Sequence, residues 1–405
     1  MKKLFGLLLI GLSLTSAYAG GYRVGLQGQK ALAMGHAGVA VVNSSELAFY
    51  NPSGIVWLEN KLNISAGVTP VISNTRYQNL DTRESAETVN NISTPFYLYA
   101  TYQINDWLAA GLAVNTPYGS KVEWPTDWAG SHLVNNIELA AIFVNPTISI
   151  KLTPEFSIGG GPIFVTGGVN FNKNLTQTLS TVNGRANVTL DESGVTNWGF
   201  NASAMFKPSE SLTLGATYRS RIDLEVEGGE ADFENAPFPD TTFDASLPLP
   251  AELGVGVSYK FCEKWLVTGE FTRSYWGVYE SLDIDFANPV ISDSENPRNY
   301  NNTTTWRLGA QYDHNEKFTF RAGYYFDESP VASGYFSPET PRNDSHGFTT
   351  GLTYRINDKF EVDASFLYLY FDEISESYNS EEFPAFEGSY VTNVFTPGIG
   401  VTYKL

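Results

Sequence analysis

The chain of 405 residues contains one cysteine, Cys262, so no internal disulfide can form. Its four histidines and that thiol nowhere fall at metal-ligand spacing, which leaves a structural metal without donors and implies no cofactor. Cations are also scarce: 25 Lys and Arg face 44 Asp and Glu, and a net charge of −19 excludes a nucleic-acid binder. Beyond the first twenty residues no apolar run is long enough for a transmembrane helix. The one apolar run, residues 4–14, follows Lys2 and Lys3 and precedes Ala17-Tyr18-Ala19. That order reads as a secretory signal peptide over residues 1–19, with the mature chain starting near Gly20. An exported chain without disulfides or metal must be held by a large core or by a membrane. Tyr and Phe number 23 and 26 against three Met, a bias expected where side chains meet lipid and its headgroup boundary.

What the chain does have is period-two patterning from Leu62 onward. In "KFTFRAGYYFD", Phe318, Phe320, Ala322, Tyr324 and Phe326 fall on one face, while Thr319, Arg321 and Asp327 fall on the other. "WRLGAQY" and "FEVDASF" repeat the split, giving one face suited to lipid and one to a polar lumen. A soluble β-sandwich alternates too, so the connections carry more information. Short polar turns such as "YQINDWLA", "KLTPEFSI" and "YRINDKFEV" place an aromatic (Trp107, Phe156, Trp265, Phe318, Phe360) just after the turn, as one ring of an aromatic girdle. Between these hairpins lie long polar stretches, near 71–93, 117–138, 172–192, 228–246, 281–301, 328–342 and 374–388. Short turns on one side and long loops on the other predict an all-β fold: a transmembrane antiparallel β-barrel of about 14 strands over residues 61–405.

Residues 20–60 do not alternate. They mix Gly, Ala and single apolar residues, with Ser44 or Ser45 placed to cap a short helix. A barrel of this width is not filled by its own side chains, so this segment is expected to fold inward as a hatch of short helices and turns. Asn51-Pro52 then marks the turn leading from the hatch to the first strand. A non-selective porin also suits a polar lumen, but it has no use for a plug of forty residues. A surface receptor, needing only the loops, is a further alternative. His36, His132, His314 and His346 stand near no Ser or Asp in a catalytic spacing, so no enzyme is expected.

The run Ala33-Met34-Gly35-His36-Ala37-Gly38-Val39-Ala40 followed by "AFYNPSG" resembles the hatch of the FadL family, outer-membrane transporters of long-chain fatty acids and other hydrophobic compounds. "NWGFNASAMFKPSESLTLGATYRSRIDLEVEG" and "LPLPAELGVGVSYKF" extend the resemblance over nearly the whole mature chain. The family's hatch motif is Asn-Pro-Ala, and here Asn51-Pro52-Ser53 stands in its place; with Gly35 these residues are expected to gate the lumen. Leu405 departs from the aromatic common at a barrel C-terminus, leaving Tyr403 as the nearest such residue. The resemblance implies that the third strand bends inward around Pro117, Tyr118 and Gly119 and opens the wall toward lipid. An apolar external mouth is expected from Trp124, Trp128, Leu175, Leu179, Phe233, Phe238 and Phe243, and Arg298 is the candidate to meet a carboxylate headgroup. Arg219, Arg307 and Arg321 are expected to form lumen salt bridges with Glu225, Glu270, Glu361 or Asp363. The implied partners are a long-chain fatty acid or aromatic hydrocarbon, outer-membrane lipid and lipopolysaccharide, with the protein acting as a monomer.

Overall fold

The structure, a computed structural model, describes residues 21–89, 92–176, 185–379 and 385–405; the leader expected at 1–19 lies outside them. Fourteen antiparallel barrel strands follow one another in chain order. They are β1 (Leu62–Val68, continued by Val71–Gln78), β2 (Phe96–Asn105, preceded by Ser85–Glu87 and Ile92–Ser93), β3 (Leu108–Glu123), β4 (Asn136–Lys151), β5 (Phe156–Asn174) and β6 (Asn187–Phe206). Then come β7 (Leu212–Arg219 and Ile222–Glu234), β8 (Thr241–Leu249 and Glu252–Cys262), β9 (Trp265–Ser274, with Ile284–Phe286 beyond it) and β10 (Thr303–Asp313). The last four are β11 (Phe318–Asp327), β12 (Ser345–Arg355), β13 (Phe360–Phe371 and Ile374–Tyr378) and β14 (Phe386–Lys404). Strand β1 pairs with β14 from Asn63↔Lys404 to Val68↔Ile399, which closes the sheet. Closure is what lipid demands, because an open edge would leave backbone N–H and C=O groups without partners in hydrocarbon. Among the described residues no helix is long and apolar enough to cross a membrane; the strands do the crossing.

The period-two pattern sorts as its chemistry requires. Trp306, Leu308, Phe320, Phe348 and Phe366 are exposed on the outer face, while Thr305, Arg321, Thr349 and Asp363 are buried in the lumen. Trp107, Trp265 and Phe360 stand exposed directly after their short turns. Several stretches expected to be loops are in part strand: Val71–Gln78, Ile374–Tyr378 and the parts of Ile222–Glu234 and Thr241–Leu249 that fall within 228–246 extend the barrel upward. Their outer faces carry Glu230 and Asp244, both exposed, so they read as polar connections although Ala231 and Phe243 are buried on the inner face.

The hatch consists of α1 (Gln29–Leu32), α2 (Leu47–Tyr50) and a 3₁₀ turn (Pro52–Trp57). Ser44 Oγ accepts from the Glu46 amide at 3.3 Å at the start of α2, whereas Ser45 does not cap it. Ser45 Oγ instead bonds Ser65 Oγ of β1 at 2.6 Å, so the expected cap serves as a tether to the wall. Glu46 accepts from the Lys30 and Ala31 amides at 2.9 and 2.8 Å and so holds α2 onto the start of α1; burial pushes its carboxyl up to about 7. Lys30 reaches Glu361 at 2.5 Å, and Gln29 reaches Thr69 Oγ1 at 2.9 Å. Gly35 and His36 are both left-handed, at φ 66° and 62°, and turn the chain after α1 against the wall. The wall there is glycine: a Cβ at Gly309 would lie 2.5 Å from Met34 O, and one at Gly323 would strike the Met34–Gly35 backbone. We expect Gly323→Val to leave the barrel intact but the hatch undocked, read as a heat-modifiable band of normal mobility together with raised ion conductance in planar bilayers. Unchanged conductance would show that the hatch tolerates the added bulk.

Candidate ligand site and wall opening

Strand β3 is where the closed ladder fails. It pairs with β2 only as far as Tyr97↔Asn115. On its other edge the register with β4 shifts between Asn115 and Tyr118, so Thr116 and Pro117 stand opposite the single residue Ile142. Proline cannot donate to a ladder, and two residues against one force a bulge that bends the strand. Above the bulge, the edge of β3 that should meet β2 is met from inside by the hatch's first described residues. Val24 N donates to Pro117 O at 2.8 Å, and Gly119 N donates to Tyr22 O at 3.0 Å. Gln27 Nε2 adds a bond to Thr116 O at 2.8 Å. Residues 21–27 thus form an arm that takes the place of the missing strand.

Side chains fix the arm across the lumen. Arg23 reaches Glu252 of β8 at 2.7 Å, Asp327 of β11 at 2.8 Å and Thr305 Oγ1 of β10 at 2.8 Å. Tyr22 donates to Pro248 O and packs edge-on against Trp276, with ring centroids 4.8 Å apart. Sequence reasoning placed none of these residues at the site, because an arm's role depends on which strands it lies across.

Two cavities flank the arm. The upper one, about 100 Å³, is lined by apolar residues of the strand extensions (Leu139, Leu190, Leu224, Val226) and by Tyr22, Tyr279, Tyr300 and Tyr378. Alternation in "RIDLEVEG" was the signal that could have found Leu224 and Val226. The lower cavity, about 510 Å³, lies at the break in the wall, lined by Thr94, Pro95, Phe96, Tyr118, Gly119 and the arm. Ser120 and Leu139 line both, so the arm is what stands between them.

Of the expected mouth residues, Phe243 and Arg298 line the upper cavity. Trp124 and Trp128 do not; they stack on each other at 4.3 Å, buried, and Trp124 Nε1 donates to Pro338 O at 3.1 Å. Leu175 packs against the same cluster, Phe238 lies edge-on to Phe233, and Leu179 lies outside the described residues. Arg298 has its charge met already: Nη2 and Nε bond Glu339 Oε1 at 2.7 and 3.0 Å, and Nη1 bonds Tyr378 at 2.9 Å. Arg307 pairs with Glu270 at 2.8 Å as expected. Arg219 pairs with Glu252 rather than Glu225, which points outward, and Arg321 bonds Gln311 and Thr353 rather than a carboxylate. Asn51 and Ser53 line neither of these two cavities and are fully buried. Asn51 Nδ2 donates to Val39 O at 2.7 Å, Ser53 Oγ donates to Asn51 Oδ1 at 2.5 Å, and Ser53 O accepts from Ser149 and Ser157. With Pro52 opening the 3₁₀ turn, they clamp the hatch to β4 and β5.

The family described as "Outer membrane protein transport protein (OMPP1/FadL/TodX)" matches residues 11–405. The chain is 22% identical to Outer membrane protein P1 of Haemophilus influenzae, over 82% of this chain and 80% of that one. It is 20% identical to the long-chain fatty acid transport protein of Escherichia coli K12, over 88% and 89%. Among solved structures, a Pseudomonas aeruginosa FadL homologue superposes with a TM-score of 0.83 at 18% identity, covering 95% of this chain and all of the other. The Pseudomonas putida toluene transporter TodX gives 0.73 at 18%, covering 96% and 99%. These structural likenesses carry the fold.

Arg23→Ala tests the arm's attachment. It strands Asp327 and removes one of two cations from Glu252, and breaking such a buried pair costs about 3–5 kcal/mol. We expect the arm to leave β3 and conductance to rise; wild-type conductance would show that backbone pairing alone holds it.

Proposed function

The chain belongs to the OMPP1/FadL/TodX family of outer-membrane transport proteins, and from that membership we propose that it carries hydrophobic molecules across the outer membrane by passive diffusion, leaving sideways through the gap between β2 and β3. The observation that carries this reading is the arm's occupation of the β3 edge above Asn115. Cargo enters the upper apolar cavity from outside. Withdrawal of the arm joins that cavity to the lower one, which faces the interrupted wall. A greasy molecule then passes into lipid without ever being released to water. Asn51, Pro52, Ser53 and Gly35 serve the gate as its fixed base, holding the hatch while residues 21–27 move.

Relatives in this family carry names of fatty-acid and toluene transporters, and both cargo types suit cavities of this lining. Each methylene buried contributes about 0.8 kcal/mol, so apolar surface rather than a headgroup supplies most of the affinity. A plain porin is disfavoured because the described hatch and arm cross the lumen. The acidic outer faces of the strand extensions reach lipopolysaccharide phosphates through divalent cations, and the barrel works as a monomer.

Replacing Pro117 and Gly119 together by valine is expected to let the ladder continue and shut the gap. In a Gram-negative host lacking its own hydrophobic transporters, accumulation of a hydrophobic fluorescent probe should then drop to the level of cells without the protein. Uptake at the wild-type rate would remove the lateral exit.

A further inference from the structure

The seam that closes the barrel carries a break of its own. Leu62 N donates to Leu405 O and Leu405 N donates to Leu62 O, each at 2.9 Å, so along β1 and β14 every second facing pair is one that exchanges two backbone bonds. Beyond Val68↔Ile399, the next such pair is Pro70 opposite Pro397. Neither has an N–H to give, both bonds are lost, and the ladder resumes only at Ile72↔Phe395. Facing prolines leave no orphan donor, which is how a ladder can be interrupted in lipid at all. On its other edge β1 pairs with β2 from Leu62↔Tyr102 to Val68↔Phe96, and β2 in turn loses β3 above Tyr97↔Asn115. At this height β1 and β2 are a two-stranded ribbon between two interruptions, and such a ribbon is marginal by itself.

The start of the hatch is fastened across this seam from inside. Gln29 Nε2 donates to Val68 O at 3.3 Å and to Thr69 Oγ1 at 2.9 Å on the first strand, and to Ile399 O at 3.5 Å on the last. Its Oε1 accepts from Ser365 Oγ of β13. Lys30, next in α1, binds Glu361 of β13, whose other oxygen takes Lys404 Nζ of β14 at 2.6 Å. The bond between Ser45 and Ser65 adds a second hold on β1. Gln29, Lys30, Ser65 and Thr69 are all buried, so water does not compete for these bonds. The last strand leaves room for the glutamine: a Cβ at Gly398 would strike Gln29 Oε1, and one at Gly400 would lie 3.0 Å from Gln29 Cγ.

We propose that the hatch has a second function besides filling the lumen: α1 is a clasp that holds the first strand to the last where facing prolines leave the seam without bonds, and Gln29 supplies the bridge. A segment that only filled space could touch the wall anywhere, whereas the polar contacts of Gln29 straddle the interrupted pair, with acceptors on β1 and β14 and a donor on β13. This function does not rest on what the barrel carries. It requires α1 to stay on the seam throughout, since its departure would leave the ribbon of β1 and β2 weakly held on both edges.

The test is the temperature at which the purified protein converts from its folded, heat-modifiable band to the unfolded one. Gln29→Leu should lower that temperature. Restoring the seam with Pro70→Val and Pro397→Val together should remove most of the Gln29→Leu effect, because a clasp has little to hold on a continuous ladder; non-additivity of this kind is the mark of two groups serving one contact. Should the valine pair fail to fold, a disulfide between Val68→Cys and Ile399→Cys in a Cys262→Ser chain takes its place, the two being a facing pair. Gln29→Leu should then lower the conversion temperature only after reduction. An unchanged temperature in Gln29→Leu, or a drop of equal size with the seam restored or stapled, overturns the clasp and leaves α1 as part of the filling alone.

Discussion

In hydrocarbon a peptide group has no water to turn to, and that constraint shapes everything else in this molecule. It closes the sheet through the pairing of β1 with β14. A closed ring of fourteen strands then encloses more space than its inward side chains fill, and the hatch occupies the remainder. Where the ring is interrupted at β3, the same demand for backbone partners brings residues 22–24 to Pro117 and Gly119. The arm is a strand donated from within.

Charge inside the lumen follows a parallel rule. A buried ion without a counter-ion is costly, so the lumenal arginines bind Glu252, Glu270, Asp327 and Glu339, and Lys30 binds Glu361. Of these, the Arg23 and Lys30 pairs tie the arm and hatch to strands distant in sequence, which fixes the plug's orientation as glycine clearances at Gly309 and Gly323 fix its depth. Arg321 departs from this rule, its guanidinium met by Gln311 and Thr353 instead of a carboxylate.

Strand identity, barrel closure and the inward segment were legible because they rest on local signals: alternation, the aromatic after each short turn, and the small-residue composition before Leu62. The bend near Pro117 was an expectation from the family resemblance and not from these local signals. The upward strand extensions were hidden because they leave the membrane; an acidic outer face looks like a loop even while Ala231 and Phe243 face inward. Trp124 and Trp128 were attractive as mouth residues, yet two large rings with N–H groups found a better arrangement in stacking and in carbonyls of Pro338 and Val134. The roles of Tyr22 and Arg23 depend on contacts between segments hundreds of residues apart, and no spacing rule encodes those.

The pairing of the arm with β3 also bears on leakage. When the arm withdraws, Pro117 O, Gly119 N and Thr116 O lose partners at once, and each unmet backbone group costs roughly 1–3 kcal/mol until something replaces it. If the arm is the gate proposed above, an empty one is drawn shut by the strand it exposes. Under the proposed gate, a wide barrel in a cell's outermost barrier would return by itself to the sealed state after each passage.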